Sequence, residues 1–178
     1  MQHKTILGID PGTKEMGIAV LRGSTLISYG VRTLRNGARP HDVIGQARRA
    51  LLSEIERHTP QLVAIEEPLM VPTKRAALMS VITQELRARA EELNLDVIEL
   101  SPQAVRAAVV SNPRATKIDV AEALVRAGFD QLRPLIPKRP ARAALGLRPR
   151  DKYWLHMFDA LALALAAGKP QRTVDLQH

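Results

Sequence analysis

The chain has 178 residues, a length that suits one globular domain and excludes a large multidomain assembly. Hydrophobic residues make up 46% of the sequence and aromatic residues only 3%, so Ala, Leu, Val and Ile must fill the core. Lys and Arg number 26 against 18 Asp and Glu, and the net charge of +8 favours a polyanionic partner such as nucleic acid. A uniformly basic enzyme surface would give the same total. The absence of cysteine excludes disulfides, cysteine-ligated metal sites and thiol nucleophiles.

The sequence carries no pattern typical of export or membrane insertion. The short apolar run near the N-terminus ends in the carboxylate of Asp10, unlike the apolar region of a secretory signal. The longest apolar run, residues 160–167, is far shorter than the roughly 20 residues of a membrane-spanning helix. We therefore expect a cytoplasmic protein with no membrane partner.

The first third of the chain predicts three strands followed by a helix. A β-rich run ends at Asp10-Pro11-Gly12, where proline and glycine indicate a tight turn. Two further apolar runs are separated by a short polar loop and predict an antiparallel hairpin. The predicted strands are residues 5–10, 17–21 and 26–31, and apolar residues at helical spacing predict a helix over residues 41–58.

The remainder alternates between strand and helix patterns. Strands are predicted over residues 62–65 and 96–100, and helices over residues 73–93, 102–110, 115–127 and 153–167. Residues 133–152 contain seven Lys or Arg, one acid and four prolines, which predicts a long basic loop. This order predicts an α/β fold with a mixed five-stranded sheet and helices on both faces. We expect one domain over residues 1–168 and a frayed tail over residues 169–178.

Two predicted strands end in carboxylates that we expect to lie side by side. Asp10 ends the first strand and Glu66 the fourth; in parallel neighbours, about 4.8 Å apart, their side chains meet at one edge of the sheet. Two such anions repel unless a cation bridges them or one takes a proton. Glu67 is an alternative to Glu66, because neighbouring strand residues point to opposite faces.

His156 and Asp159 can complete this cluster, because a spacing of three residues places them on one face of the last helix. One imidazole and three carboxylates suit Mg²⁺ or Mn²⁺, and the nitrogen ligand favours Mn²⁺. Paired ions of this kind indicate phosphodiester hydrolysis by in-line displacement. His156 has a second interpretation, in which it orients or deprotonates the attacking water.

Three sequence blocks, in this order, resemble the RuvC family of Holliday junction resolvases. They are LGIDPGT with GIAV (residues 7–13 and 17–20), VAIE (residues 63–66) and HMFDALALA (residues 156–164). Residues 103–106, 109–110 and 115–117 resemble that family's DNA-contacting segment, so the resemblance covers roughly residues 5 to 167. The match favours Glu66 over Glu67.

The resemblance implies a ribonuclease H-like fold and a homodimer with two active sites. It implies Mg²⁺-dependent paired nicking of a four-way DNA junction, with a branch-migration helicase as a candidate partner. The metal or catalytic residues that it implies are Asp10, Glu66, His156 and Asp159. Arg106 and Lys117 are the implied basic DNA contacts near the cut.

Further DNA contacts are expected outside these blocks. Leu69 stands where family members often place an aromatic wedge, and the basic loop offers Arg139, Arg142 and Lys152 to phosphate groups. Asp119 is expected to be a solvated helix residue outside the site. Two alternatives stay open: an RNA-processing nuclease like the YqgF family, which shares the fold, and a branched-DNA-binding module without catalysis.

Overall fold

The computed structural model describes residues 3–34, 39–68, 71–110, 112, 114–139, 147 and 149–169. The strands in these ranges are β1 (Thr5–Asp10), β2 (Glu15–Arg22), β3 (Thr25–Thr33), β4 (Leu62–Glu66) and β5 (Asp96–Leu100). They form one sheet in the order β3-β2-β1-β4-β5. The first three strands pair antiparallel, whereas β4 runs parallel to both β1 and β5. The predicted mixed five-stranded sheet is confirmed.

Helices cover both faces of this sheet. The α-helices of the described ranges are α1 (Pro40–His58), α2 (Lys74–Glu92), α3 (Pro102–Val110), α4 (Lys117–Arg126) and α5 (Pro149–Gly168), and a short 3-10 helix spans Asp130–Leu135. α1 and α2 share one apolar core with the sheet, and α3, α4 and α5 share the other. The predicted covering of both faces is confirmed. Among the helices described, none is long and apolar enough to cross a bilayer.

The register between β1 and β4 brings two carboxylates to one edge of the sheet. β1 is buried along its whole length, and its residues Leu7 and Ile9 face the core formed with α1 and α2. Ile9 lies opposite Ile65 in the parallel pairing with β4. The next residues of the two strands are Asp10 and Glu66, so the parallel pairing makes them neighbours.

α5 lies in backbone contact with the sheet because two strand glycines face it. A Cβ atom on Gly8 would lie 2.0 Å from the Ala160 carbonyl oxygen, and one on Gly17 would lie 1.8 Å from the His156 carbonyl oxygen. No side chain fits such a gap, since nonbonded carbon and oxygen atoms normally stay more than about 3 Å apart. The two glycines therefore set the position of the helix that carries His156 and Asp159.

The segment predicted as a long basic loop is partly helical. The 3-10 helix includes Arg133 and Pro134, and α5 begins at Pro149 instead of Tyr153. Proline is tolerated in the first turn of a helix, where its missing N–H has no partner to lose, so Pro149 can begin α5. Residues 140–146 and 148 lie outside the described residues.

The observed boundaries of other elements differ from the predicted ones by a few residues. β2 begins at Glu15 and β3 continues to Thr33, because the two strands pair along their whole length as a hairpin. α4 begins at Lys117, after the N-cap residue Thr116, whose side chain accepts a hydrogen bond from the backbone N–H of Asp119. Residues 170–178 lie outside the described residues, so the frayed tail and the domain boundary at residue 168 stay predictions.

Candidate active site

The structure brings together the four residues that the sequence predicted as ligands. We call them the acidic cluster: Asp10 at the end of β1, Glu66 at the end of β4, and His156 and Asp159 on α5. Nδ1 of His156 lies 2.6 Å from Oδ2 of Asp10. The Glu66 carboxyl is within hydrogen-bonding reach of Asp10, and Asp159 is close enough to raise the pKa of Glu66.

Asp10 and Glu66 form a carboxyl pair that holds a proton. Burial, the hydrogen bond to Asp10 and the charges of Asp10 and Asp159 raise the pKa of Glu66 to about 9. Burial also raises the pKa of Asp10, but hydrogen bonds from His156 and Glu66 and the charge of Lys117 outweigh burial and hold it below its ordinary value. At neutral pH the pair therefore carries one negative charge, with the proton on Glu66. The neighbouring Glu67 is exposed, so Glu66 is the glutamate that reaches Asp10.

Lys117 supplies a positive charge to this pair and to Asp159. Its ammonium group, on the first turn of α4, forms an ion pair with Asp159 across the interface with α5. Burial lowers the pKa of Lys117, but the charges of Asp159, Asp10 and Glu66 raise it above its ordinary value. Burial raises the pKa of Asp159 to about 6 despite the opposing charge of Lys117. Lys117 therefore offsets only part of the effect of burial on the pKa of Asp159.

His156 is charged more readily than a free imidazole. Burial lowers its pKa, but the hydrogen bond to Asp10 and the negative charge of Asp10 raise it overall. Its side chain is 25% exposed, and Nδ1 is the ring nitrogen directed at the acidic cluster.

The donor set fits a hard divalent cation. Glu66 already holds a proton, and Asp159 already pairs with the ammonium group of Lys117. A cation bound here would relieve the repulsion between the carboxylates in the same way. In the described residues, no group of three or more His, Asp or Glu is already arranged to hold a metal ion. The side chains are paired with one another and with Lys117 instead: Asp10 pairs with His156, and Asp159 pairs with Lys117.

The two predicted DNA contacts nearest the cut line the same pocket. Arg106 of α3 and Lys117 of α4 surround it together with Glu66 and Asp159. Basic groups beside an acidic centre suit a phosphodiester, whose phosphate they can hold while the acidic groups hold a cation. Lys152, another predicted contact, is exposed on α5 one turn before His156.

Arg139 and Asp119 form an ion pair that the sequence patterns did not indicate. Arg139 donates to Oδ1 of Asp119 at 2.7 Å and to Oε2 of Glu122 at 2.9 Å, so two carboxylates of α4 offset its charge. Asp119 lies outside the site and its side chain is 37% exposed, as expected of a solvated helix residue; it also forms a reciprocal capping box with Thr116 at the start of α4. The hydrogen bond from Arg139 lowers the pKa of Asp119 most, and the hydrogen bonds from Thr116 lower it further, so this pKa lies well below its ordinary value. Arg142 and Leu69 lie outside the described residues.

Glu15 is a neighbour of the cluster that the sequence patterns did not indicate. Its Oε2 atom lies 3.5 Å from Nε2 of His156, on the side of the ring away from Asp10. The sequence offered one weak indication of this contact. Glu15 stands two residues before Gly17 on β2, so its side chain lies on the face of the sheet that Gly17 presents to α5.

Comparisons with known proteins find similar sequences in one family. The family described as crossover junction endodeoxyribonuclease RuvC matches residues 6–135. The RuvC protein of Bacteroides fragilis is 31% identical over 131 residues, covering 71% of this chain and 70% of that protein. That of Clavibacter michiganensis is 32% identical over 171 residues, covering 92% of this chain and 75% of that protein.

Solved structures show the same fold. Thermus thermophilus RuvC in complex with a Holliday junction substrate matches with a TM-score of 0.67 and 23% identity, covering 92% of each chain. The yeast mitochondrial Holliday junction resolvase matches with a TM-score of 0.63 and 15% identity, covering 94% of this chain and 78% of that one. The predicted ribonuclease H-like fold is confirmed.

Proposed function

Because the chain belongs to the RuvC family of crossover junction endodeoxyribonucleases, which are metal-dependent nucleases, we propose that it resolves four-way DNA junctions by paired nicks. The observation that carries the assignment of the site is the pair of Asp10 and Glu66, in which burial, the hydrogen bond to Asp10 and the charges of Asp10 and Asp159 raise the pKa of Glu66 to about 9. A site built this way attracts cations, and its basic surroundings suit a DNA backbone.

The cofactor is Mg²⁺, and Mn²⁺ also supports activity. Carboxylate oxygens are the donors that Mg²⁺ prefers, and the imidazole of His156 makes the site acceptable to Mn²⁺. When bound, paired divalent ions supply the Lewis acidity that in-line hydrolysis of a phosphodiester requires. Asp10, Glu66 and Asp159 are the carboxylates that would hold them.

The residues of the acidic cluster have different tasks in this proposal. Glu66 would give up its proton to hold a cation, and Lys117, if released from Asp159, would be placed to contact a phosphate oxygen. His156 presents Nδ1 to the cluster, where it can hold an ion or accept the proton of the attacking water. The reaction needs no covalent attachment of DNA to the chain.

The junction is held by basic side chains from three helices. Arg106 of α3 and Lys117 of α4 lie at the pocket, and Lys152 extends the basic surface along α5. Arg139 contributes less positive charge, because Asp119 and Glu122 offset it. The proposed DNA contact of Arg142 is supported by the basic composition of residues 133–152, and that of Leu69 by the family resemblance.

Paired nicks require two active sites, so we propose a homodimer. Two apolar side chains in the region of α2 are exposed and available to it: Val81 of α2 is 47% exposed, and Leu93, directly after the helix, is 46% exposed. Ile82 and Leu86 of the same helix are fully buried and belong to the core of one protomer. A branch-migration helicase as a further partner is proposed from the resemblance alone.

A cleavage panel tests the function. Wild-type protein should cut a four-way junction at symmetric positions with Mg²⁺ or Mn²⁺, leave a linear duplex uncut, and lose all activity with a chelator. Asp10→Asn should bind the junction without cutting it, and Glu67→Gln, a change at the exposed neighbour of Glu66, should cut normally. Cleavage of structured RNA alone would favour a YqgF-like nuclease. Junction binding without cleavage under any metal condition would favour a non-catalytic module.

A further inference from the structure

The imidazole of His156 lies between two carboxylates. Nδ1 is 2.6 Å from Oδ2 of Asp10, and Nε2 is 3.5 Å from Oε2 of Glu15. Asp10 belongs to the acidic cluster, whereas Glu15 has no part in the function proposed above. A histidine that serves a metal site commonly donates the proton of its second ring nitrogen to a carboxylate, which fixes the ring and its tautomer.

We infer that Glu15 is a positioning residue that keeps a proton on Nε2 of His156, so that Nδ1, which here donates to Asp10, is the nitrogen that would give up its proton to serve the acidic cluster. The inference rests on the proposed function, because it assigns a task to a residue beside that site. It also selects Nδ1 as the nitrogen that acts, whether His156 holds an ion or accepts a proton.

The backbone around Glu15 is fixed on two sides. A Cβ atom on Gly12 would lie 1.7 Å from the Glu15 carbonyl oxygen, so the turn before β2 is tight and its geometry requires glycine. Glu15 and Gly17 lie on the same face of β2, and Gly17 admits the His156 carbonyl group. β2 and α5 therefore hold the backbones of Glu15 and His156 in a fixed relative position.

The distance of 3.5 Å is an ion-pair distance and longer than a good hydrogen bond. The side chains of His156 and Glu15 are 25% and 32% exposed, so both have room to move. Hydrogen bonds in unloaded active sites are often long and tighten when the site is filled. A surface ion pair without this task would not control which ring nitrogen carries the proton, and this difference can be measured.

The test uses the full-length protein with three changes at Glu15 and a matched control. Glu15→Ala removes the acceptor, Glu15→Gln keeps an oxygen acceptor without charge, and Glu15→Asp keeps the charge on a shorter side chain. The control is Glu56→Ala, at an exposed position on α1 across the sheet from α5. The readouts are the melting temperature, the dissociation constant for Mn²⁺ from calorimetry, and the ¹⁵N shifts of the His156 ring with Mg²⁺ bound.

We expect wild-type protein with Mg²⁺ to show the tautomer with the proton on Nε2. Glu15→Ala should melt as wild type does, bind Mn²⁺ about 10- to 100-fold more weakly and lose this tautomer preference. Glu15→Gln and Glu15→Asp should recover part of the affinity, and Glu56→Ala should match wild type.

Two results would overturn the inference and leave the proposed function intact: wild-type Mn²⁺ affinity and ring shifts in Glu15→Ala, or a wild-type ring with its proton on Nδ1. Failure of the wild-type protein to bind Mn²⁺ and to cut a junction would instead defeat the proposed function, and the inference with it.

Discussion

Replacing Glu66 by Gln should stabilise the metal-free protein, and the gain should grow with pH. The pKa of Glu66 is raised from 4.5 to about 9 in the folded chain. The folded chain binds the proton of Glu66 more tightly than the unfolded chain does. The stability that this proton contributes is complete below pH 4.5 and is lost as the pH rises through 9. Glutamine has no proton to lose and can donate its amide N–H to Asp10, so the variant keeps this contribution at high pH.

The size of the effect follows from the pKa values. At pH 7 the pH lies about 2.5 units above the ordinary value of 4.5, and each unit corresponds to about 1.4 kcal/mol. The product, about 3.5 kcal/mol, is an upper limit, because the chain relaxes around a charged Glu66. A protein of this size changes its melting temperature by about 2 to 4 °C per kcal/mol, so the limit corresponds to roughly 7 to 14 °C.

Thermal melting in the presence of a chelator, at about pH 5, 7 and 9, measures the difference. Glu66→Gln should melt close to wild type at the lowest pH and progressively above it at the higher values. Glu67→Gln, the same change at the exposed neighbour, should follow wild type throughout. Added Mg²⁺ should raise the melting temperature of wild type more than that of Glu66→Gln. A gain that does not depend on pH, or a loss of stability at about pH 9, would refute the electrostatic account of the pair.

Other changes test the packing and the DNA contacts. Gly17→Ala should destabilise the protein by about 1 to 3 kcal/mol and slow junction cleavage, since its Cβ would lie 1.8 Å from the His156 carbonyl oxygen. Gly30→Ala, with nothing within 4 Å of the added Cβ, should melt and cut like wild type; equal behaviour of both variants would show that Gly17 does not position α5. Arg106→Ala should weaken junction binding and lower the slope of log affinity against log salt by about 1, whereas Arg139→Ala should leave that slope nearly unchanged. The reverse order in a salt titration would mean that Arg139 contacts phosphate. Thr116→Ala should reduce the free energy of unfolding by about 1 kcal/mol through loss of the cap, as measured by urea denaturation, and an unchanged value would contradict the capping role.

Much of the fold and the centre of the site could be predicted from the sequence, because both depend on local patterns. Apolar runs that end in Asp10 and Glu66 are typical of buried strands whose ends lie at one sheet edge, and β1 and β4 do pair in parallel. The helical spacing of His156 and Asp159 was enough to place them on one side of α5. Each of these steps needs only the periodicity of one element and one assumption about strand order.

The remaining features depend on how separate elements meet, which periodicity does not report. Lys117 faces the acidic cluster because α4 packs against α5, and Arg139 pairs with α4 because the chain turns back after the 3-10 helix. Glu15 approaches His156 because Gly17 lets α5 lie against the sheet. Pro149 was interpreted as part of a loop, because the same residue type begins helices and interrupts them.

The most direct test of the central claim is a crystal structure of the Mn²⁺-soaked protein with an anomalous-scattering map. The acidic cluster should show at least one anomalous peak about 2 to 2.6 Å from carboxylate oxygens of Asp10 and Glu66, with Lys117 moved away from Asp159. A map with no peak at the cluster, at a Mn²⁺ concentration that supports junction cleavage in solution, would contradict the claim that these side chains hold the ions.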